Sequence, residues 1–130
     1  MKYEKSKMQI KNKKEEFKRR LYKFVLTLLQ FIKLLPKDQV NKVITDQLIR
    51  SGTSVLANYI EAQSASSRKD YVNFFTYSLK SANESKMWLA LLRDTGCKDK
   101  KEIEDLIYEL KEISDIFASS IITLKGKRNI

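Results

Sequence analysis

Apolar residues recur at steps of three and four along most of the chain, and little in the sequence interrupts them. The 130 residues include only three glycines and one proline. A spacing of three and four places side chains on one face of an α-helix, whereas a half-buried strand alternates every second residue. Because glycine and proline are the residues that most often end a helix, so few of them favour a small number of long helices. The sequence therefore predicts an all-α fold.

The helical pattern divides into four segments at recognisable start and stop signals. Pro36 ends the first segment, because the residue before a proline is pushed out of helical geometry. Ser67 followed by Asp70, and Asp99 followed by Glu102, resemble helix-capping pairs. The predicted segments are Lys13–Leu35, Lys37 or Asp38 to Gln63, Ser67 to about Asp94–Gly96, and Asp99–Leu124. On the second segment, the predicted apolar side consists of Val40, Val43, Ile44, Leu48, Val55 and Tyr59.

Short connections between long helices force neighbouring helices to run antiparallel. The predicted architecture is therefore an up-down-up-down four-helix bundle over residues 13–124. Residues 1–12 and 125–130 lack the apolar stripe, so we expect a basic, flexible tail at each end.

The composition argues against enzymatic chemistry. The chain has no histidine and one cysteine, Cys97, so a Ser-His or Cys-His pair and the usual zinc ligand sets are absent. We expect no enzyme, no metal or other cofactor, and no small-molecule substrate. The charged N-terminus lacks the apolar stretch of a secretory signal, and no run of about 18 apolar residues predicts a membrane span. A cytoplasmic location without membrane contact is expected.

The net charge of +10 is concentrated at the two ends of the chain. Basic ends suit nucleic-acid phosphates, although solvated termini that only aid solubility have the same composition. The candidate nucleic-acid-binding residues are Lys11, Lys13, Lys14, Lys18, Arg19, Arg20, Lys125, Lys127 and Arg128. No aromatic residues are interleaved among them as a stacking platform, so we expect binding without base-sequence preference.

A line of polar residues follows one side of the second helix, where the pattern predicts core. Arg50, Ser54, Asn58 and Glu61 recur at three- and four-residue spacing, and Glu84 on the third helix is a candidate partner. Such a line indicates either a polar network that sets the helix packing or a ligand site. No nucleophile, base or metal set accompanies it, so the structural network is favoured.

The third helix carries apolar residues that a single bundle core does not need. Tyr77, Trp88 and Leu91 lie away from its predicted core face. A wide apolar surface predicts a subunit interface, although scattered surface apolar residues are also common.

The middle of the chain resembles a bacterial four-helix bundle family. That family includes proteins encoded in intervening sequences of 23S ribosomal RNA genes and the accessory protein of diversity-generating retroelements. The resemblance lies in Arg50-x-x-x-Ser54-x-x-x-Asn58-x-x-Glu61-Ala62, Ser67-x-x-Asp70-Tyr71-x-x-Phe74, Ala82-x-Glu84 and Trp88-Leu89-x-Leu91-Leu92. Ala62 stands where the commonest family pattern has glycine.

The resemblance implies a homo-oligomeric, pentameric barrel. It also implies RNA or a reverse-transcriptase-like protein as a partner. The expected function is a non-enzymatic oligomeric scaffold that binds RNA or a ribonucleoprotein through its basic ends. The alternative is a protein–protein interaction module without nucleic-acid binding, which would use the Trp88 side or the acidic fourth helix.

Overall fold

In the computed structural model, which describes the backbone of residues 2–128 and the side chains of residues 4–126, the chain forms four helices and no strand. The helices are α1 (Lys2–Lys33), α2 (Gln39–Gln63), α3 (Arg68–Asp94) and α4 (Lys100–Arg128). Each helix packs against its neighbours in sequence, and α1 also contacts α4. Neighbouring helices are antiparallel: Arg93 near the end of α3 pairs with Glu104 near the start of α4 at 2.9 Å. The predicted four-helix bundle is confirmed.

The helix ends are set by local hydrogen bonds that the sequence signals predicted. Asp38 Oδ1 accepts a hydrogen bond from the backbone N–H of Asn41 at 2.8 Å, and Ser67 Oγ accepts one from the N–H of Asp70 at 3.1 Å. Caps of this kind contribute about 1 kcal/mol each. After α3, Gly96 has a φ of 102°, a backbone conformation that glycine adopts without strain. The predicted boundaries of α2 and α3 are correct to within two residues.

The start of α1 differs from the prediction. The helix begins at Lys2 rather than near Lys13, because lysine, glutamate and methionine are good helix formers and no glycine or proline interrupts them. The Tyr59 hydroxyl donates to the Lys14 carbonyl at 3.3 Å, which places Lys14 level with the end of α2. Residues 4–13, here named the α1 extension, are all exposed. They continue past the α2–α3 turn for about 15 Å at 1.5 Å per residue.

Aromatic side chains fill the core at the end of the bundle from which the α1 extension projects. The ring of Phe17 lies 5.1 Å from that of Tyr59 and 5.2 Å from that of Phe117. Phe75 lies 5.3 Å from Phe117 and stacks on Tyr71 at 4.6 Å. Edge-to-face and stacked pairs contribute about 0.5–1.5 kcal/mol each beyond their burial. This cluster therefore ties all four helices together at one end.

The core face of α2 is rotated relative to the prediction. Val40 and Val43 are 54% and 58% exposed, whereas Ser51 and Gly52 are buried. Gly52 is needed for close packing, because a Cβ atom there would lie 2.5 Å from the buried Leu28 Cδ2. The expectation that Val40 and Val43 belong to the core is wrong, because close helix contact selects small residues as well as apolar ones.

Small hydroxyl residues join α2 to α3 inside the bundle. The Oγ atoms of Ser51 and Ser85 are 2.7 Å apart, and Ser78 Oγ donates to the Val55 carbonyl at 3.0 Å. All three serines are buried, so these bonds satisfy polar atoms that would otherwise cost free energy. The predicted polar contact between Arg50 and Glu84 also joins α2 to α3, at the surface, whereas the buried part of this seam uses three serines outside the predicted polar line.

Candidate nucleic-acid interface

Most of the predicted basic residues are open to solvent. Lys11, Lys13, Lys18 and Arg19 on α1 are exposed and, among the residues that the structure describes, make no ion pair. Lys125 on α4 is exposed in the same way. Exposed cations without carboxylate partners are available to phosphate groups. The side chains of Lys127 and Arg128 lie outside the described residues.

Arg20 differs from the other predicted cations because it is already paired. Its guanidinium donates two hydrogen bonds to Glu109, at 2.9 and 2.7 Å, and one to Glu112 at 2.6 Å. These bonds raise the pKa of Arg20 above its ordinary value and lower the pKa of the Glu112 carboxyl. Arg20 therefore joins α1 to α4 in this structure and is not free for phosphate, contrary to expectation.

A cavity opens where the α1 extension meets the aromatic end of the core. Its volume is about 470 Å³. This cavity is named here the bundle-end cavity. It is lined by Lys13, Lys14, Phe17, Tyr59, Tyr71, Phe75, Ile116, Ser119, Ser120, Thr123 and Leu124. Aromatic rings form the floor, hydroxyl groups of α4 form one wall, and two lysines stand at the rim. Phe17 and Tyr71 are half-buried beside the two lysines, and Tyr59 and Phe75 are buried. Binding without base-sequence preference stays a prediction.

Lys14 and Tyr71 show how the cavity meets solvent. The Lys14 ammonium lies over the Tyr71 ring, 5.8 Å from its centroid. Lys14 covers this face of the Tyr71 ring and is itself exposed, so displacing its side chain would uncover the ring. Burial raises the pKa of the Tyr71 hydroxyl, and burial followed by the nearby Tyr71 and Glu15 raises that of Tyr59 to about 12. Both phenols therefore stay neutral near pH 7 and do not repel an anion.

A second depression adjoins this cavity and adds another cation. It shares Lys14, Tyr71 and Leu124 with the bundle-end cavity and also includes Arg68, the first residue of α3. Sequence reasoning missed Arg68 because it lies outside both basic ends. The structure thus places cations from α1 and α3 around one aromatic surface.

The polar line on α2 is only partly brought together. Arg50 forms an ion pair with Glu84, and the Trp88 indole N–H donates to the same Glu84 carboxylate at 2.8 Å. Ser54 donates to the Arg50 carbonyl at 2.7 Å and Asn58 donates to the Ser54 carbonyl at 3.0 Å, so both bond within their own helix.

The carboxylate of Glu61, the last residue of that line, is exposed and makes no hydrogen bond or ion pair among the described residues. Ser54 and Asn58 are half-buried, and Arg50 is exposed. The five residues therefore lie on the outer face of α2 and α3 and do not form one buried network, because the core face of α2 is rotated.

The family assignment follows from the comparison with known proteins. A sequence model of the 23S rRNA-intervening sequence protein family matches residues 8–119. The chain belongs to this family. The resemblance inferred from the α2–α3 motif is thereby confirmed, and the match includes the α1 cations from Lys11 to Arg20 but not Lys125.

A solved structure supports the same assignment. The chain is similar to a crystallised protein of unknown function from Bacteroides thetaiotaomicron, described as a member of the S23 ribosomal protein family. The two share 35% sequence identity at a TM-score of 0.74, over 80% of this chain and 96% of the other. No curated protein matches the chain.

In this member of the intervening-sequence protein family, the predicted interface residues lie on the outer face of α3. Tyr77 and Leu91 are 46% and 42% exposed, and Trp88 is half-buried with its indole N–H already bonded to Glu84. They therefore offer apolar surface beside the Arg50–Glu84 pair.

Two further properties of this family member bear on its chemistry. Over residues 2–128, no helix combines the length and the apolar character needed to cross a bilayer. In the same described part of the chain, no three acidic or cysteine side chains are grouped so as to hold a metal ion.

Proposed function

We propose that this protein is a non-enzymatic, oligomeric scaffold that binds RNA, alone or within a ribonucleoprotein, through the basic surface at the α1 extension. The observation that supports this most directly is the set of exposed, unpaired cations at Lys11, Lys13, Lys18 and Arg19. Neutralising phosphates with such cations releases condensed counterions, which drives binding and makes it depend steeply on salt. Lys14 and Arg68 extend the same surface around the bundle end.

The distribution of ion pairs supports an RNA partner over the alternative protein-interaction module. One form of that alternative uses the acidic fourth helix and needs its carboxylates free; the other uses the Trp88 side and does not depend on them. Glu109 and Glu112 are bonded to Arg20, and Glu104 to Arg93. Asp105 and Asp115 are paired with lysines one turn earlier. Much of the acidic surface is thus neutralised locally, whereas Lys11, Lys13, Lys18 and Arg19 on α1 make no ion pair among the described residues.

The oligomeric part of the proposal rests on the outer face of α3. Tyr77, Trp88 and Leu91 give this face apolar surface that a monomer leaves in water. Burying it between copies of the chain is favourable in proportion to the apolar area removed from water. Assembly as a pentamer, as the family resemblance implies, would also repeat the basic surface in each subunit and multiply weak phosphate contacts.

The experiment compares two triple variants that remove the same charge. Lys11, Lys13 and Lys14 are changed to glutamine in one, and Lys42, Lys101 and Lys111, which pair with carboxylates one turn away, in the other. Affinity for a fluorescent RNA stem-loop is measured by anisotropy at several salt concentrations. The first variant should lose affinity strongly, with a salt slope shallower by about 2 for the lost phosphate contacts. Equal loss in both variants would contradict the assigned surface.

A further inference from the structure

The bundle-end cavity combines features that a purely phosphate-binding surface does not require. A helix carrying exposed lysines is enough to neutralise phosphates. Here the lysines Lys13 and Lys14 stand at the mouth of a cavity of about 470 Å³ with an aromatic floor. Cavities of a few hundred Å³ with an apolar floor and a few polar groups are typical of sites for small planar ligands.

The residues around this cavity restrict the chemistry of its occupant. Tyr71 and Phe17 are half-buried, so part of each ring faces the cavity, while Tyr59 and Phe75 lie beneath them in the core. Such rings favour a flat, aromatic group. Ser119, Ser120 and Thr123 add hydroxyl groups that can donate to or accept from a ring edge. The positively charged ammonium groups of Lys13 and Lys14 favour an occupant with an anionic group attached to that flat group.

An unpaired nucleobase with its phosphates meets all three requirements. Every base has a flat π face, hydrogen-bonding groups on its edge, and a phosphate on either side along the chain. A base within a double helix is stacked on both faces and paired along one edge, so it cannot enter the cavity. An aliphatic acid would satisfy the lysines but would use neither the ring faces nor the row of hydroxyl groups.

We propose that the bundle-end cavity binds one unpaired base of single-stranded RNA, stacked on the face of Tyr71 that Lys14 covers in this structure, with the neighbouring phosphates held by Lys13 and Lys14. On binding, the Lys14 side chain leaves the Tyr71 ring and turns to phosphate, a movement that its exposure allows. The inference rests on the proposed RNA-binding function and adds a site that recognises bases. It also makes single-stranded segments the preferred part of any bound RNA.

The first test separates base binding from phosphate binding with the unmodified protein. The probes are a fluorescent twelve-nucleotide oligouridylate, which has little structure of its own, and an oligomer of equal length whose sugars carry no bases. The oligouridylate should bind about 10-fold more tightly, as expected for one or two stacked bases. Raising the salt should weaken both complexes while the ratio between them persists, because stacking does not depend on counterion release.

Substitutions then assign the effect to the cavity. Tyr71→Leu should abolish the preference for oligouridylate, and Tyr71→Phe, which keeps the ring, should retain it. Phe74→Leu removes a half-buried ring from the same helix outside the cavity and should also leave the preference intact. Because Tyr71→Leu could also unfold the bundle end, Ser120→Phe provides an independent test: it fills the cavity from α4 and should abolish the preference in a protein whose circular dichroism is unchanged.

The outcomes distinguish this inference from the function on which it rests. Equal affinity for the two oligomers would overturn the base site and leave phosphate binding standing. Failure to bind either oligomer would overturn both. Displacement of oligouridylate by uridine monophosphate at equal concentration would assign the cavity to free nucleotides and contradict an RNA site. A preference that survives both Tyr71→Leu and Ser120→Phe would place base recognition elsewhere on the protein.

Discussion

The α2–α3 seam and the bundle end both carry polar residues on helices, but they use them in opposite ways. In the seam, Ser51 bonds to Ser85 inside the core, and Arg50 pairs with Glu84 at the surface. At the bundle end, Lys13 and Lys14 face solvent beside the aromatic rings of the cavity. The seam satisfies its polar groups within the protein, while the bundle end leaves them available to a partner.

This difference shows why the most recognisable motif in the chain is not its best candidate site. The motif from Arg50 to Leu92 identifies the family, yet its contacts hold α2 against α3. The candidate RNA surface combines residues from all four helices, including Lys13, Tyr59, Tyr71 and Ser119, and no short motif contains them. The candidate RNA surface therefore takes Tyr59 and Tyr71 from within the motif and Lys13 and Ser119 from outside it.

The largest effect is expected from overpacking near the seam. Gly52→Val should lower the free energy of unfolding by about 1–3 kcal/mol, because the buried Leu28 has no room to yield. Gly126→Val is the matched control, since nothing lies within 4 Å of a Cβ atom at Gly126. Urea denaturation measures both. If the seam contributes only to stability, the RNA affinity of the folded Gly52→Val protein stays unchanged. Reduced affinity would show that the seam also contributes to RNA binding.

Smaller effects are expected from replacing two cations of α1: Arg20, which is paired with carboxylates, and Lys14, which is not. Arg20 holds the pKa of the Glu112 carboxyl below its ordinary value, so their interaction stabilises the fold at neutral pH and is lost as the pH falls through that lowered pKa. Arg20→Gln should therefore reduce the thermal midpoint at pH 7, and this deficit should shrink as the pH falls through the lowered pKa of Glu112.

Lys14→Gln is the counterpart of that variant. It should weaken RNA binding and leave the acid dependence of the thermal midpoint as in the unmodified protein, because its ammonium has no carboxylate partner among the described residues. If Arg20→Gln lost as much RNA affinity as Lys14→Gln, Arg20 would belong to the binding surface despite its ion pairs.

The sequence predicted the parts of the fold that depend on neighbours along the chain. Pro36 and the Ser67 cap act within a few residues, so α2 and α3 were placed correctly. The core face of α2 was not predicted correctly, because Ser51 and Gly52 are buried on account of their small size. A search for apolar residues does not include them. The ion pair of Arg20 was not predicted because its partner Glu109 lies 89 residues away in the sequence.

The candidate site was predicted only in part, for a similar reason. Lys13 and Lys14 were recognised by charge, which is visible in any stretch of sequence. Phe17, Tyr59 and Tyr71 fit the helical core pattern equally well, and only the antiparallel packing shows that these residues line the cavity beside the lysines. Juxtaposition across helices is a property of the folded chain and has no local signal.

Photochemical cross-linking tests directly whether RNA bases bind at the bundle-end cavity. The full-length protein is irradiated in complex with a single-stranded RNA that carries 5-iodouridine, and the modified peptides are identified by mass spectrometry. Cross-links at Tyr71 or Phe17, located by fragmentation of the modified peptides, are expected at the bundle end. Cross-links confined to Trp88, on the outer face of α3, would contradict base binding at the bundle-end cavity.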